Sequence, residues 1–139
     1  MTTYRVAIPD LLVAKTRRAL SPNGRPHWAR KAAAAAVVRR GAYTGLRAAM
    51  TEAGWQDPLL RPQRVTLHID AAFPGAALVD EDNIWAMVKS ARDGCADWLN
   101  PFASDARRDA GFEQGAVRLK SARKATWFFV DVEVSDDRL

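Results

Sequence analysis

The sequence predicts an α/β protein of the α+β type, built as one domain over residues 1–139 around two main helices. Three segments alternate apolar and polar side chains with the period of a strand, and two longer segments repeat apolar side chains with the period of a helix. The chain is 48% hydrophobic and 27% charged, so it carries enough apolar side chains to bury a core. A length of 139 residues suits a single domain.

The first half of the chain predicts a strand followed by a long helix. Residues 4–8 alternate as a strand does, and Pro9 ends it. Residues 21–26 contain serine, proline, asparagine and glycine, which is the composition of a loop. A helix is expected over 28–53, with Gly54 after its end. Spacing predicts its apolar stripe at Trp28, Ala32, Ala35, Tyr43, Leu46 and Met50.

The second half predicts a strand, a helix, an irregular segment and a final strand. Alternate side chains are apolar over 63–73, which indicates a half-buried strand that Pro74 breaks. A helix is expected from about 82 to 99, an irregular segment over about 100–115, and a strand over 125–134. The apolar stripe of this second helix is predicted at Ile84, Val88, Ala91, Cys95 and Trp98.

Cysteine and histidine are too few for two common kinds of stabilising site. Cys95 is the only cysteine, which excludes a disulfide within the chain. His27 and His68 are the only histidines, and no zinc-ligand spacing results. The first residues carry no long apolar run, so no signal peptide is expected, and no stretch reaches the ~20 apolar residues of a membrane span. We therefore expect a cytoplasmic protein that does not contact a membrane.

Charge is distributed unevenly between the two halves of the chain. Residues 1–50 hold ten Lys and Arg and one acid, Asp10, for a net charge of +9. Residues 51–139 hold eleven Lys and Arg and fifteen acids, for a net charge of −4. A basic half favours binding to nucleic-acid phosphates, because each contact releases condensed counterions. The alternative is a solvated basic helix without such a partner, and charge alone leaves both interpretations open.

The most informative motif is the run Asp80-Glu81-Asp82-Asn83 at the expected start of the second helix. Mg²⁺ prefers hard oxygen ligands and usually takes one or two carboxylates together with waters and phosphate oxygens. Two carboxylates two residues apart at a strand-to-helix turn can reach one ion, so Asp80 and Asp82 are candidate metal ligands. The alternative is that these acids cap the helix and complement its dipole.

Lys89 and Asp93 follow on the same predicted helix. Together with Asp82 they lie within roughly 40° of one another at 100° per residue. This trio occupies the face opposite the apolar stripe, where a substrate could reach it. The same face is also the ordinary solvated side of a helix, and Lys89 and Asp93 have the spacing of an i,i+4 ion pair.

A second motif, over residues 21–28, joins turn residues to the start of the basic helix. Backbone amides at a glycine turn, together with polar and basic side chains, can hold phosphates. Trp28 can stack on a base, or it can anchor the helix in the core. The predicted DNA-binding residues are Asn23, Arg25, His27, Trp28, Arg30 and Lys31. A further basic group precedes the last strand, with a solvated hairpin as the alternative interpretation: Arg118, Lys120, Arg123 and Lys124.

Taken in this order, these motifs resemble the RusA-type Holliday junction resolvases, small endonucleases common in phages and prophages. The loop over 21–28 before a basic helix looks like the family's N-terminal loop, and residues 80–83 look like its D-x-D-N metal motif. The helix carrying Lys89 and Asp93, an acid-bearing loop and a final strand complete the pattern, so the resemblance covers about residues 4–134. It implies a homodimer, each chain a single RusA-like endonuclease domain with a small mixed β-sheet packed by helices. It also implies Mg²⁺-dependent hydrolysis of phosphodiesters on two opposed strands of a four-way DNA junction.

The resemblance assigns roles to particular residues. By position, Asp80 and Asp82 would be metal ligands, and Asp105 would be the third catalytic carboxylate, with Asp109 as the alternative. The family often has a catalytic lysine one turn after D-x-D-N. This chain has alanine there, at position 86, and Lys89 is the residue expected to take the lysine's role.

Two other functions remain consistent with the sequence. One is a DNA-binding protein of the same fold that has lost catalysis. The other is a basic structural DNA-binding protein whose acidic residues only cap a helix.

Overall fold

The computed structural model describes residues 2–22, 27–55 and 64–135, which form a four-stranded sheet and four α-helices. This arrangement confirms the predicted α+β class. The strands are β1 (Thr2–Ala7), β2 (Arg64–Phe73), β3 (Phe112–Ser121) and β4 (Trp127–Ser135). The helices are α1 (Ala14–Leu20), α2 (Trp28–Glu52), α3 (Glu81–Met87) and α4 (Lys89–Leu99).

The sheet is mixed, with strand order β1-β4-β2-β3. β4 is antiparallel to both β1 and β2, with Val130 opposite Val6 on one side and Ile69 on the other. β3 is parallel to β2, so the chain must cross over between them, and α3 and α4 lie in that crossover. In the chain, α3 and α4 therefore follow β2 and precede β3, and these two strands are neighbours in the sheet.

The core lies on one face of the sheet, under α2 and α4. β2 and β4 alternate buried and half-buried side chains as expected, with Leu67 and Val132 almost completely buried. α2 packs against both α4 and β1. Its buried side chains repeat every four residues, which gives one stripe along the helix: Val38, Ala42, Leu46 and Met50. Cys95 is also fully buried, and burial raises the pKa of its thiol to about 12, as expected for a core cysteine.

The predicted stripe of α2 was wrong in its first turns. Trp28 is 76% exposed and Ala32 is exposed as well, so Trp28 is not a core anchor. The alanine-rich segment favours helix through its backbone propensity and supplies little apolar bulk to bury. Packing of α2 therefore begins near Ala34 and Ala35 and is completed from Val38 onwards.

The secondary structure differs from the prediction at three further places in the chain. The expected helix over 82–99 is two helices, because the backbone at Val88 (φ −95°, ψ 7°) interrupts it. α1 was not predicted. β3 was missed, because Phe112 is its only buried residue and its apolar alternation is correspondingly weak. β3 lies beside β2 and not beside β4, so the basic group near residue 120 is not part of a hairpin.

None of the described helices combines the length and the apolar character that a membrane crossing requires.

Gly94 lies where α4 crosses α2, and a Cβ atom there would overlap the carbonyl oxygen of Arg39. We expect Gly94→Ala to lower the free energy of unfolding by about 1–3 kcal/mol, the usual cost of overpacking, because backbone cannot move aside. Urea unfolding followed by circular dichroism measures the change. Gly41→Ala in α2 is the matched control, since its Cβ would lie 3.6 Å from Asp10 Oδ2. It should stabilise the helix by up to ~1 kcal/mol. Equal stability of the two variants would contradict the close crossing.

Candidate metal and nucleic-acid site

The acidic run lies at the turn into α3. Asp80 is the residue before the helix, with an extended backbone (φ −65°, ψ 147°), and its carbonyl accepts from the amides of Asn83 and Ile84 at 3.0 Å each. Its side chain makes no capping hydrogen bond. Asp82 is exposed in the first turn, and within the described residues neither carboxylate forms an ion pair or a side-chain hydrogen bond. If these acids only stabilise the helix, they do so through the interaction of their charges with the helix dipole, and not through capping hydrogen bonds.

Lys89 and Asp82 line the same cavity although the helix between them is broken. The cavity has a volume of about 260 Å³. The Lys89 ammonium lies 2.9 Å from Asp93 Oδ1, and its side chain is 65% exposed, so the predicted i,i+4 ion pair is present. The residues lining this cavity are Asp82, Trp85, Ala86, Val88, Lys89, Arg92 and Gln114.

The two candidates for the third carboxylate lie elsewhere. Asp105 Oδ1 is 3.0 Å from Arg108 Nη1 and 3.9 Å from Arg39 Nη2. Asp109 Oδ2 accepts from Arg92 Nε at 2.9 Å. Both carboxylates line a second cavity of about 280 Å³, which Lys89 also borders. Lys89 is therefore the residue that links the cavity of Asp82 to that of Asp105.

The described residues do not converge on a preformed metal cage. Within 2–22, 27–55 and 64–135, no group of three or more His, Cys, Asp and Glu side chains is placed to hold a metal ion. The pair Asp80 and Asp82 nevertheless fits the donors that Mg²⁺ takes, because this ion is commonly bound by one or two carboxylates and completed by water and phosphate oxygens.

Asp97 holds the segment after α4 in place. Its carboxylate accepts two hydrogen bonds from Arg39, at 2.6 and 2.7 Å, and a third from Arg108 at 2.9 Å. The hydrogen bonds from Arg39, reinforced by Arg108, hold the pKa of Asp97 below its usual value. The pKa of Arg39 is raised by the same bonds. Because Arg108 also pairs with Asp105, this network joins α2, α4 and the loop that carries Asp105.

The start of α2 presents the predicted DNA-binding residues that the structure describes. His27 caps the helix, since its Nδ1 accepts from the amide of Ala29 at 3.2 Å. Its ring lies 5.5 Å from that of Trp28, which is exposed and free to stack. Arg30 and Lys31 are exposed as well. The predicted residues Asn23 and Arg25 lie outside the described part of the chain.

A third cavity extends from this basic surface to Lys89 and Asp93 at the start of α4. It has a volume of about 320 Å³ and is bordered by Lys31 on one side and Lys89 and Asp93 on the other. The three cavities therefore meet at Lys89, between the basic start of α2 and the carboxylates of Asp82 and Asp105.

Sequence reasoning missed the arginines that surround this site. Arg92 lines the Asp82 cavity, and its spacing of three residues from Lys89 was a usable signal, because such residues are neighbours on a helix. Arg39 and Asp97 are 58 residues apart in the sequence, and no local pattern connects them.

Comparison with known proteins adds a relative but no function. No protein-family model matches the chain, and no solved structure matches it. A protein of Xylella fastidiosa (strain Temecula1 / ATCC 700964), described as an uncharacterized protein, is 36% identical over 102 residues. The match covers 66% of this chain and 64% of that protein, so the chain spans less than two thirds of the relative's length.

Proposed function

We propose that this chain is a Mg²⁺-dependent endonuclease of the RusA type that cleaves phosphodiester bonds in branched DNA such as four-way junctions. The observation that carries the proposal is the pair Asp80 and Asp82, two exposed carboxylates on one turn, beside a cavity lined by Lys89. Two carboxylates without an ion-pair partner among the described residues, one of which shares a cavity with a lysine, suit a phosphate whose charge is shared with a divalent ion.

Under this proposal, the acidic residues and Lys89 have separate roles in phosphodiester hydrolysis. Asp80 and Asp82 would hold the ion, and Mg²⁺ when bound supplies Lewis acidity and lowers the pKa of water. Water attacks phosphorus and one ester P–O bond breaks, which leaves a phosphate monoester on one strand end and a hydroxyl on the other. The Lys89 ammonium would stabilise the negative charge that develops on the phosphate oxygens. To do so, Lys89 must exchange its contact with Asp93 for the substrate.

DNA would approach over the start of α2. Arg30 and Lys31 are exposed there and can contact backbone phosphates, while Trp28 offers an open ring for base stacking. The cavity between Lys31 and Lys89 would lead the backbone from this surface to Lys89, which also lines the Asp82 cavity.

A single assay tests the proposal. Purified protein is mixed with a labelled synthetic four-way junction or the matching linear duplex, with Mg²⁺ or with EDTA. Mg²⁺-dependent cleavage of the junction alone is the expected result. Equal binding of both DNAs without cleavage would overturn the proposal and indicate a basic structural protein.

The second candidate function is a junction-binding protein that does not cleave. It is favoured by the engagement of Asp105 with Arg39 and Arg108, which keeps the expected third carboxylate away from the Asp82 cavity. Selective binding of the junction with no product in Mg²⁺ would identify this function.

We also propose that the protein acts as a homodimer. The sequence holds one Asp80-Glu81-Asp82-Asn83 run, whereas resolving a four-way junction requires cuts on two strands. A C2 dimer supplies two symmetry-related sites and is the commonest oligomer. Light scattering at micromolar concentration is therefore expected to give twice the chain mass of 15.3 kDa, and a monomer mass would contradict the dimer.

A further inference from the structure

Arg92 is held rigidly at the edge of the cavity that contains Asp82. Its Nε donates to Asp109 Oδ2 at 2.9 Å, and its Nη2 lies 3.4 Å from the carbonyl oxygen of Phe112. The centre of the guanidinium is 5.9 Å from the centroid of the Phe112 ring. Only 22% of the side chain is exposed, so these contacts fix its orientation.

Part of the anchored guanidinium remains available to donate hydrogen bonds to a ligand. Within the described residues, its Nη1 makes no hydrogen bond, while Nε and Nη2 are directed at Asp109 and Phe112. Arginine recognises phosphate through a planar fork of N–H groups, and an arginine already fixed in position loses less conformational entropy on binding. Arg92 is thus organised for an anion before any ligand arrives.

The composition of the cavity identifies that anion. Lys89, Arg92 and the amide of Gln114 provide cationic and neutral donors, whereas Asp82 provides a carboxylate. A ligand that accepts from these donors and also lies beside the Asp82 carboxylate carries negative charge and shares a cation with Asp82. A metal-bridged phosphodiester does both.

We infer that Arg92 contacts the phosphate of bound DNA in the Asp82 cavity, and that Asp109 is a positioning residue that holds the Arg92 guanidinium. This inference rests on the proposed function and deepens it. The sequence left open whether Asp105 or Asp109 is the third metal ligand. Under this inference Asp109 holds Arg92 and is not that ligand.

Cleavage kinetics test the two roles separately. Single-turnover rates on a four-way junction are measured over a Mg²⁺ series for wild type, Arg92→Gln, Asp109→Asn and the double variant. Arg92→Gln should slow cleavage by about ten- to a thousandfold, as loss of one positioned donor does. Asp109→Asn should slow it less, with the same Mg²⁺ concentration at half-maximal rate. The double variant should be no slower than Arg92→Gln, because Asp109 acts through Arg92.

Two results would overturn the assignment of Asp109. A metal ligand would show itself by a raised Mg²⁺ requirement in Asp109→Asn. Independent roles would show themselves by multiplied losses in the double variant. Arg92→Lys, which keeps the charge but lacks the fork, checks folding and should recover part of the rate.

Binding without catalysis tests Arg92 independently of cleavage. Junction affinity is measured in EDTA as a function of salt, and loss of one phosphate contact should reduce the salt slope by about 0.9. Arg107→Gln is the matched control, because Arg107 is exposed in the short 3-10 helix that follows α4 (Asp105–Arg107) and does not line this cavity. If the wild-type protein binds the junction without cleaving it, the proposed catalysis is wrong. The salt slopes of wild type and Arg92→Gln then still show whether Arg92 contacts a phosphate. Equal slopes for Arg92→Gln and wild type, or no junction binding by wild type, would overturn the inference.

Discussion

Asp82→Asn is expected to abolish cleavage of a four-way junction while leaving its affinity for the junction nearly unchanged. The substitution preserves the shape of an exposed side chain but removes the charge that would bind Mg²⁺. A metal ion contributes several kcal/mol to transition-state stabilisation, which corresponds to a rate loss of about a thousandfold or more. Affinity should persist, because the proposed DNA contacts are made by cationic side chains, which this substitution leaves unchanged. Single-turnover rates at saturating Mg²⁺, together with binding in EDTA, measure the two properties.

Glu81→Gln is the matched control for this variant. Glu81 is exposed in the same turn, its substitution removes the same charge, and it does not line the Asp82 cavity. Its cleavage rate should stay close to that of wild type. Equal losses in both variants would mean that the acidic turn acts only through its overall charge. A joint loss of binding and thermal stability in Asp82→Asn would indicate a folding role.

The parts of the fold that the sequence predicted are those specified by local pattern. The alternation of Leu67 with His68 in β2, and of Val130 with Asp131 in β4, follows from one buried and one open face of the sheet. The acidic run was likewise placed correctly at the start of a helix, since Asp80 immediately precedes α3. Period and composition alone determine these features.

What the sequence could not predict depends on tertiary contacts. β3 has one buried side chain, Phe112, and is a strand because its backbone pairs with β2. The break at Val88 lets Ile84 and Met87 pack in the core while α4 takes its own path across α2. The network of Arg39 and Asp97 joins residues far apart in the chain, and its geometry exists only after folding. Most of the polar contacts around the candidate site likewise depend on tertiary structure and have no local sequence signal.

Asp97→Asn should produce a large loss of stability because it disrupts the network that joins α2, α4 and the loop after α4. Arg39 binds both carboxylate oxygens, so an amide nitrogen at either position would face a guanidinium donor. Hydrogen bonds to charged groups contribute about 1.5–3 kcal/mol, and the partial exposure of Arg39 favours the lower part of that range. Urea unfolding measures the loss. Asp93→Asn is the control, since its exposed pair with Lys89 is worth only about 0.2–0.5 kcal/mol.

The same network predicts how stability depends on pH. The hydrogen bonds from Arg39, with the one from Arg108, hold the pKa of Asp97 below its usual value in the folded protein. A carboxyl group whose pKa is lowered by folding stabilises the protein above its unfolded pKa of about 3.9 and loses this contribution as the pH falls through the folded value. The difference in unfolding free energy between wild type and Asp97→Asn should therefore be constant from pH 7 to about pH 5 and shrink below about pH 4. Urea unfolding at several pH values measures that difference. If it stays unchanged down to pH 3, the ionised carboxylate is not the source of the stabilisation, because only a charge-dependent contribution disappears when Asp97 is protonated.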